Sequence, residues 1–294
     1  MSVIQRIPAT ESTAPRRRIV GTPSQWIVWA CVAIFFIFLF GVVFYVLVAS
    51  FATTWFNSWM PDGFTLTRFG DAWQNFNLGQ IITVTLEVAL AVIALSVLIG
   101  VPASYVLARR NFPAKGIVYG LFLLPVMMPP ITYGIPLAAV MYRWGLGYTS
   151  IWAVILVNMV PAVPFVIMTM TPFIEQINPS IESAARMSGA NTLSVFTRIL
   201  APLLVPGILA SCVLVLVRTV GMFELTFLVS GPTTKTLVVA LFGAMNGAAG
   251  IRPFQETAAM AVMYMVMMMI ILVIALRFVN PTQLVARVRE ETRD

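Results

Sequence analysis

Three charged residues sit within long apolar runs of this 294-residue sequence: Glu87, Arg218 and Glu224. A charge in an apolar segment is costly, and it persists where it faces a cavity, a partner or a counter-charge. Arg218 and Glu224 are six residues apart, about 240° around a helix, so they do not share one face. Two readings stay open. These residues line a polar path, or Arg218 pairs with Glu87 or Glu224 across helices or subunits and holds a bundle together. A proline cluster adds to the path reading: Pro125, Pro129, Pro130 and Pro136 in one run, Pro161 and Pro164 in the next. Each removes a backbone donor. Freed carbonyls are tolerated at membrane depth where they are packed in protein or line a wet cavity. Tyr133, Gly134 and Asn158 lie beside these prolines and offer polar contacts; the alternative is kinks that serve packing alone.

A catalytic set is missing. The sequence has no His, and its two Cys, Cys31 and Cys212, fall in apolar runs where they read as small buried hydrophobes. Zinc and haem sites of the usual kinds are therefore excluded. The segment Gly231-Pro232-Thr233-Thr234-Lys235-Thr236 has the wrong spacing for a phosphate-binding loop. We expect no catalytic residue, no metal and no bound cofactor in this chain.

The elements that carry these residues follow from composition. The chain is 60% hydrophobic and 10% charged, against roughly 45–50% and about 25% for a soluble domain. Lipid is the natural solvent for it. A spanning helix needs about 20 mostly apolar residues, and six stretches qualify: 26–50, 81–108, 117–142, 151–172, 203–228 and 258–278. Arg16, Arg17 and Arg18 before the first resemble the charged region of a signal peptide. Its apolar run, however, exceeds the roughly 7–15 residues of a signal core, so we read it as a retained span.

Lys and Arg gather on the cytoplasmic side of membrane proteins. With both termini inside, the inner segments 1–25, 109–116, 173–202 and 277–294 hold thirteen of them, and the outer segments hold four: Arg68, Arg143, Lys235 and Arg252. The sequence thus predicts an all-α, six-span protein with N-terminus and C-terminus inside. The same asymmetry explains the net charge of +7 without nucleic acid. Outside, residues 51–80 carry Trp55, Trp59, Trp73 and Phe76, which suit a membrane–water interface. In the loop 229–257, a Ser230-Gly231-Pro232 turn precedes Leu237–Met245, apolar but too short to span. It reads as a re-entrant or interfacial helix, or as one that only packs.

The inner segment 173–202 is the longest cytoplasmic connection and reads as structured. Asn178-Pro179-Ser180 is a helix-start signal. A short helix over 181–188 meets Gly189, which permits a sharp or left-handed turn. A second piece, 192–200, sets Leu193, Phe196, Ile199 and Leu200 at helical spacing, and Pro202 is expected to end it and open the fifth span. Two short helices joined at a glycine make a rigid knob that can transmit a push.

The run Glu182-Ser183-Ala184-Ala185-Arg186-Met187-Ser188-Gly189, with Ile199 and Pro202 further on, resembles the EAA motif of bacterial ABC import permeases. That motif reads E-A-A, three residues, G, nine residues, I, two residues, P. Ala184, Ala185, Gly189, Ile199 and Pro202 keep that spacing; Ser183 stands at the E position with Glu182 one residue before it, and Ala201 stands where Leu is usual. The resemblance covers roughly residues 80–280 and implies the type I importer permease fold in a bacterial inner (cytoplasmic) membrane. It implies that Glu182 contacts a cytoplasmic ATPase or fixes the loop, that Ala184 and Ala185 permit close docking, and that Gly189 turns the chain, with Ser183, Ile199 and Pro202 in the same coupling segment. It further implies a second permease subunit, two ATPase subunits that use the ATP, and an extracytoplasmic solute-binding protein. Within the family the chain looks closest to the group carrying polyamines and related small solutes, with sugar permeases similar in topology. The expected organisation is a tail 1–25, a first span and outer loop 26–80, a permease core 81–280 containing the coupling loop 173–202, and a tail 281–294. A channel would need a ring-forming selectivity element, a membrane enzyme would need convergent acid, base or metal groups, and an exporter would carry a fused ATPase or long cytoplasmic helix extensions. None is present.

Overall fold

A computed structural model describes residues 23–55, 58–247 and 253–278. The basic tail residues Arg6, Arg16, Arg17, Arg18, Arg287, Arg289 and Arg293, the outer Arg252, and the tail 281–294 lie outside the described residues. The chain divides into two compact units, to Tyr45 and from Val46 onward. The first holds most of helix α1 (Pro23–Phe51), apolar all round; within it Phe36 and Phe40, one helical turn apart, stack with centroids 5.9 Å apart.

The second unit is nearly all helical. After α2 (Thr67–Asn75) come α3 (Leu78–Arg109), α4 (Lys115–Met127), α5 (Pro130–Arg143), α6 (Ile151–Glu175), α7 (Pro179–Met187) and α8 (Thr192–Val195). A π-helical turn, Phe196–Leu200, leads into α9 (Ala201–Val220), followed by α10 (Glu224–Val229), α11 (Leu237–Met245) and α12 (Phe254–Phe278). Five helices are long and apolar enough to cross a membrane, and a sixth crossing arises if α4 and α5 form one bent span. Among the described residues there is no strand, only a bridge between Ala52 and Phe64.

The core lies where α3, α6 and α9 pack together. Val88, Val92 and Val101 of α3 meet Val154, Val166 and Met170 of α6 and Leu204 and Val215 of α9. Leu90, Leu98 and Ile99 of α3 stay exposed. Small and β-branched side chains inside with larger ones outside is the pattern of helices that pack tightly in lipid. A second cluster joins α2, α11 and α12 through Ala72, Phe76, Leu237 and Met260. Polar bonds hold it in place: Arg68 donates to the Thr53 carbonyl at 2.6 Å, and Asn75 donates to Glu256 at 3.1 Å.

Three expectations about the helices need correction, and one stands. The third stretch is not one helix. Met128 and Pro129 are extended and α4 meets α5 at 98°. Residues that precede proline avoid the α region, and tandem Pro129-Pro130 imposes this twice. The fourth stretch stays one helix despite Pro161, Pro164 and Pro172. Isolated prolines each cost one backbone bond, and packing between α3 and α9 retains the helix. The fifth stretch is broken at Gly221–Phe223, so Glu224 opens a separate short helix, α10. Pro202, finally, does not end the second knob helix, because Thr192–Val220 runs as one helical rod. The π turn makes this feasible: Ala201 N–H reaches back to the Phe196 carbonyl, a wider winding just where the proline ring needs clearance.

Candidate functional site

The cytoplasmic knob is built as the residues dictate. Asn178 accepts from Ser180 N–H at 2.9 Å and caps α7, with Pro179 in the first turn. Asn191 accepts from Ser194 N–H at 2.8 Å and caps α8. Gly189 joins them at φ +87°, a conformation that strains any residue with a Cβ. Its flanks are open, so the constraint is conformational rather than steric.

Glu182 faces inward, 6% exposed. It accepts from Arg109 Nε at 2.7 Å and from Tyr105 Oη at 2.8 Å, both at the inner end of α3. Arg109 donates again to the Ile177 carbonyl at 2.6 Å, and the Tyr105 ring packs edge-on to Phe196, with centroids 5.6 Å apart. The pair is nearly buried, and both carboxylate oxygens accept a hydrogen bond, which helps offset the cost of burying two charges. Glu182 thereby ties α7 to the inner end of α3. Ala185 is half-buried against the core, whereas Ser183 and Ala184 are exposed. Ile199 is half-buried, and Pro202 is exposed in the first turn of α9.

The outward face of the knob exposes large apolar side chains among polar ones. Met187 is 84% exposed and Leu193 70% exposed, with Ile181 beside them. Leu193 therefore does not share the buried face expected from its spacing with Leu200, which is fully buried. Tyr105 and Arg109 were missed as site residues by sequence reasoning. Arg109 counted there only as an inner positive charge, and no local pattern links it to a partner 73 residues away.

The span residues fall into separate roles. Asn158 is buried and donates to the Val154 carbonyl at 2.9 Å and to Thr226 Oγ1 at 3.1 Å. It ties α10 to α6. Arg218 sits over the Phe165 ring at 4.4 Å. Within this chain, among the described residues, no salt bridge joins Arg218 to Glu87 or Glu224. Glu87 is exposed on α3. Tyr133 lies within electrostatic reach of both Arg218 and Glu224.

Toward the expected outer side is a cavity of about 430 Å³, lined by Phe76, Ile81, Tyr148, Phe227 and Lys235 among others. Its wall is pinned by Thr234 Oγ1, which donates to the Tyr148 carbonyl at 2.9 Å, and by Leu237 N–H, which donates to Thr85 Oγ1 at 2.9 Å. The apolar stretch Leu237–Met245 forms the helix α11 beside this cavity.

The architecture is a helical bundle of five or six candidate membrane spans, with breaks within two of the apolar stretches and two short helices joined at Gly189. The chain belongs to the family of binding-protein-dependent transport system inner membrane components, which it matches over residues 100–285. It is 32% identical over 177 residues to the molybdenum transport system permease protein ModB of Haemophilus influenzae, covering 55% of this chain and 77% of that protein. It is 28% identical over 186 residues to the sulfoquinovosyl glycerol transport system permease protein SmoH of Agrobacterium fabrum, covering 63% of this chain and 65% of that one. Its fold is similar to a chain in the crystal structure of a bacterial alginate ABC transporter in complex with an alginate pentasaccharide-bound periplasmic protein. The TM-score is 0.66 at 18% identity, covering 88% of this chain and 96% of that one.

Proposed function

We propose that this chain forms, with a second permease subunit, the translocation path of an ABC importer, and that its knob docks on a separate cytoplasmic ATPase subunit, one for each permease. An extracytoplasmic binding protein delivers a small organic solute to the outer cavity. The observation that carries this reading is the division of labour in the knob: a buried, hydrogen-bonded Glu182 ties it to α3, while Met187 and Leu193 present large apolar side chains to the cytoplasm. A surface of that kind marks an interaction site. ATP binding closes the ATPase pair and displaces the knob; α3 follows through Arg109, and the bundle shifts between inward-open and outward-open states. ATP drives this only through its different affinity for the two states, and hydrolysis resets it. The polyamine class favoured by the sequence resemblance gains nothing from ModB and SmoH, which are named for molybdenum and a sulfonated glycoside.

The test is ATP-dependent uptake in proteoliposomes of the co-expressed transporter. Gly189→Val places a β-branched residue at φ +87°, a strain of about 1–2 kcal/mol, enough to lower coupled uptake about tenfold. Met187→Glu and Leu193→Glu change exposed side chains only, so the permease folds while co-purification of the ATPase subunit falls. Retention of the ATPase by both glutamate variants, together with normal uptake by Gly189→Val, would remove the knob from the coupling role.

A further inference from the structure

Among the buried polar atoms that lack a hydrogen-bond partner in the described residues are Arg218 Nε and Tyr133 Oη, both on spans of the bundle. Such orphans are rare in folded proteins, and each demands an explanation because desolvation is not repaid. These two are neighbours in the fold. Tyr133 lies one turn into α5, immediately after the Met128–Pro129 break, and Arg218 lies in the last turn of α9, immediately before the Gly221–Phe223 break. Gly134 lets α5 approach α10 closely: a Cβ there would stand 2.8 Å from Leu228 and 2.9 Å from Leu225. This approach sets Tyr133 alongside the α10 turn that begins with Glu224.

Depth follows from helical rise. Phe165, under the Arg218 guanidinium, lies about 21 Å along α6 from Ile151 and about 15 Å from Glu175, near the middle of the span. Broken helices that meet near the bilayer midplane are where transporters hold their cargo.

The charges select among cargoes. A bare cation would meet Arg218, and a bare inorganic oxyanion would meet Glu224. A neutral sugar offers the orphan Arg218 Nε only a hydroxyl acceptor, a weaker partner for a guanidinium than an anionic oxygen. The guanidinium fork matches carboxylate, sulfonate or phosphate oxygens, and stacking on Phe165 leaves its edge N–H groups free. Glu224, which makes no hydrogen bond or ion pair among the described residues, accepts from donors elsewhere on the cargo. We propose, resting on the importer reading above, that Arg218, Tyr133 and Glu224 form an intramembrane recognition point for a small organic oxyanion whose body carries hydroxyl or ammonium donors.

The experiment uses the whole transporter with its binding protein in proteoliposomes. The probes are 2-hydroxyethanesulfonate, 2-aminoethanesulfonate and gluconate, set against sulfate, molybdate, putrescine and maltose. ATP-dependent uptake of at least one organic oxyanion is expected. Arg218→Gln lowers it by about tenfold to a hundredfold, the size of a charge-assisted hydrogen bond. Arg218→Lys recovers part of the loss, and Tyr133→Phe raises KM more than it lowers the maximal rate. Absence of uptake for all three organic oxyanions overturns the assignment. So does wild-type uptake by Arg218→Gln, or full rescue in the swap Arg218→Glu with Glu224→Arg, which would make the two a structural pair. Coupled uptake of maltose or putrescine alone sinks the assignment and leaves the importer standing; no uptake of any solute together with no bound ATPase subunit sinks both.

Discussion

Replacing Glu182 by alanine is expected to reduce ATP-coupled uptake about a hundredfold, the largest loss from any single change in the knob. The carboxylate receives hydrogen bonds from Arg109 Nε at 2.7 Å and Tyr105 Oη at 2.8 Å, and both members of the ion pair are nearly buried. Removing one partner of such a pair costs about 3–5 kcal/mol, mostly because the other charge is stranded. About 2.7 kcal/mol corresponds to a hundredfold change in an equilibrium, so the docked position of α7 against α3 ceases to dominate. Arg109 still bonds the Ile177 carbonyl, which keeps the loss local and lets the bundle fold. Because the penalty comes from the stranded guanidinium, the double variant Glu182→Ala with Arg109→Ala is expected to be more heat-stable than Glu182→Ala alone while transporting no better. The paired measurements are initial uptake in proteoliposomes and thermal unfolding in detergent. Equal stability of the single and double variants would show that the pair contributes little, and wild-type uptake by Glu182→Ala would remove Glu182 from the coupling path.

What could be read from the sequence and what could not divide along a physical line. The spans were legible because lipid demands a run of apolar residues whatever the tertiary contacts are, and α1, α3, α6 and α12 fall on the stretches so marked. Local backbone chemistry was equally legible: Asn178, Pro179 and Gly189 cap, start and turn the knob as their side chains require. The 98° bend between α4 and α5 was half legible. Tandem prolines predict an interruption, but its angle depends on α6 and α10, against which those helices pack. The break at Gly221–Phe223 carried no strong signal, since a glycine between Val220 and Met222 is tolerated in many helices. The Arg109–Glu182 pair was invisible, as one-dimensional spacing gives no account of two residues joined only by the fold. The surroundings of Arg218 were not legible for the same reason: spacing left a path-lining role and an ion pair both open, and within this chain the guanidinium lies over an aromatic face.

Gly100→Leu is expected to cut the yield of folded protein severely, more than any change on the exposed helix faces. A Cβ on Gly100 would stand 2.7 Å from Val166 Cγ1 and 2.8 Å from Val166 Cβ, closer than carbon atoms approach without movement. Val166 is fully buried and cannot swing away, so α3 and α6 must separate along their contact. Overpacking of this kind costs about 1–3 kcal/mol, a large part of a typical folding free energy of about 5–15 kcal/mol. Gly100→Ala is expected to show the smaller end of that range, and Val166→Ala in the same chain should return part of it by removing Cγ1. Gly120→Ala provides the contrast, for nothing lies within 4 Å of a Cβ there and alanine favours the helix by about 1 kcal/mol. The consequence reaches the knob. Arg109 lies nine residues beyond Gly100 on the same helix, about 14 Å away, so a helix pushed off α6 carries the guanidinium away from Glu182. Any Gly100→Ala protein that still folds should therefore lose coupled uptake out of proportion to its loss of stability. Uptake that merely tracks the folded fraction would mean that α3 does not transmit the motion of the knob.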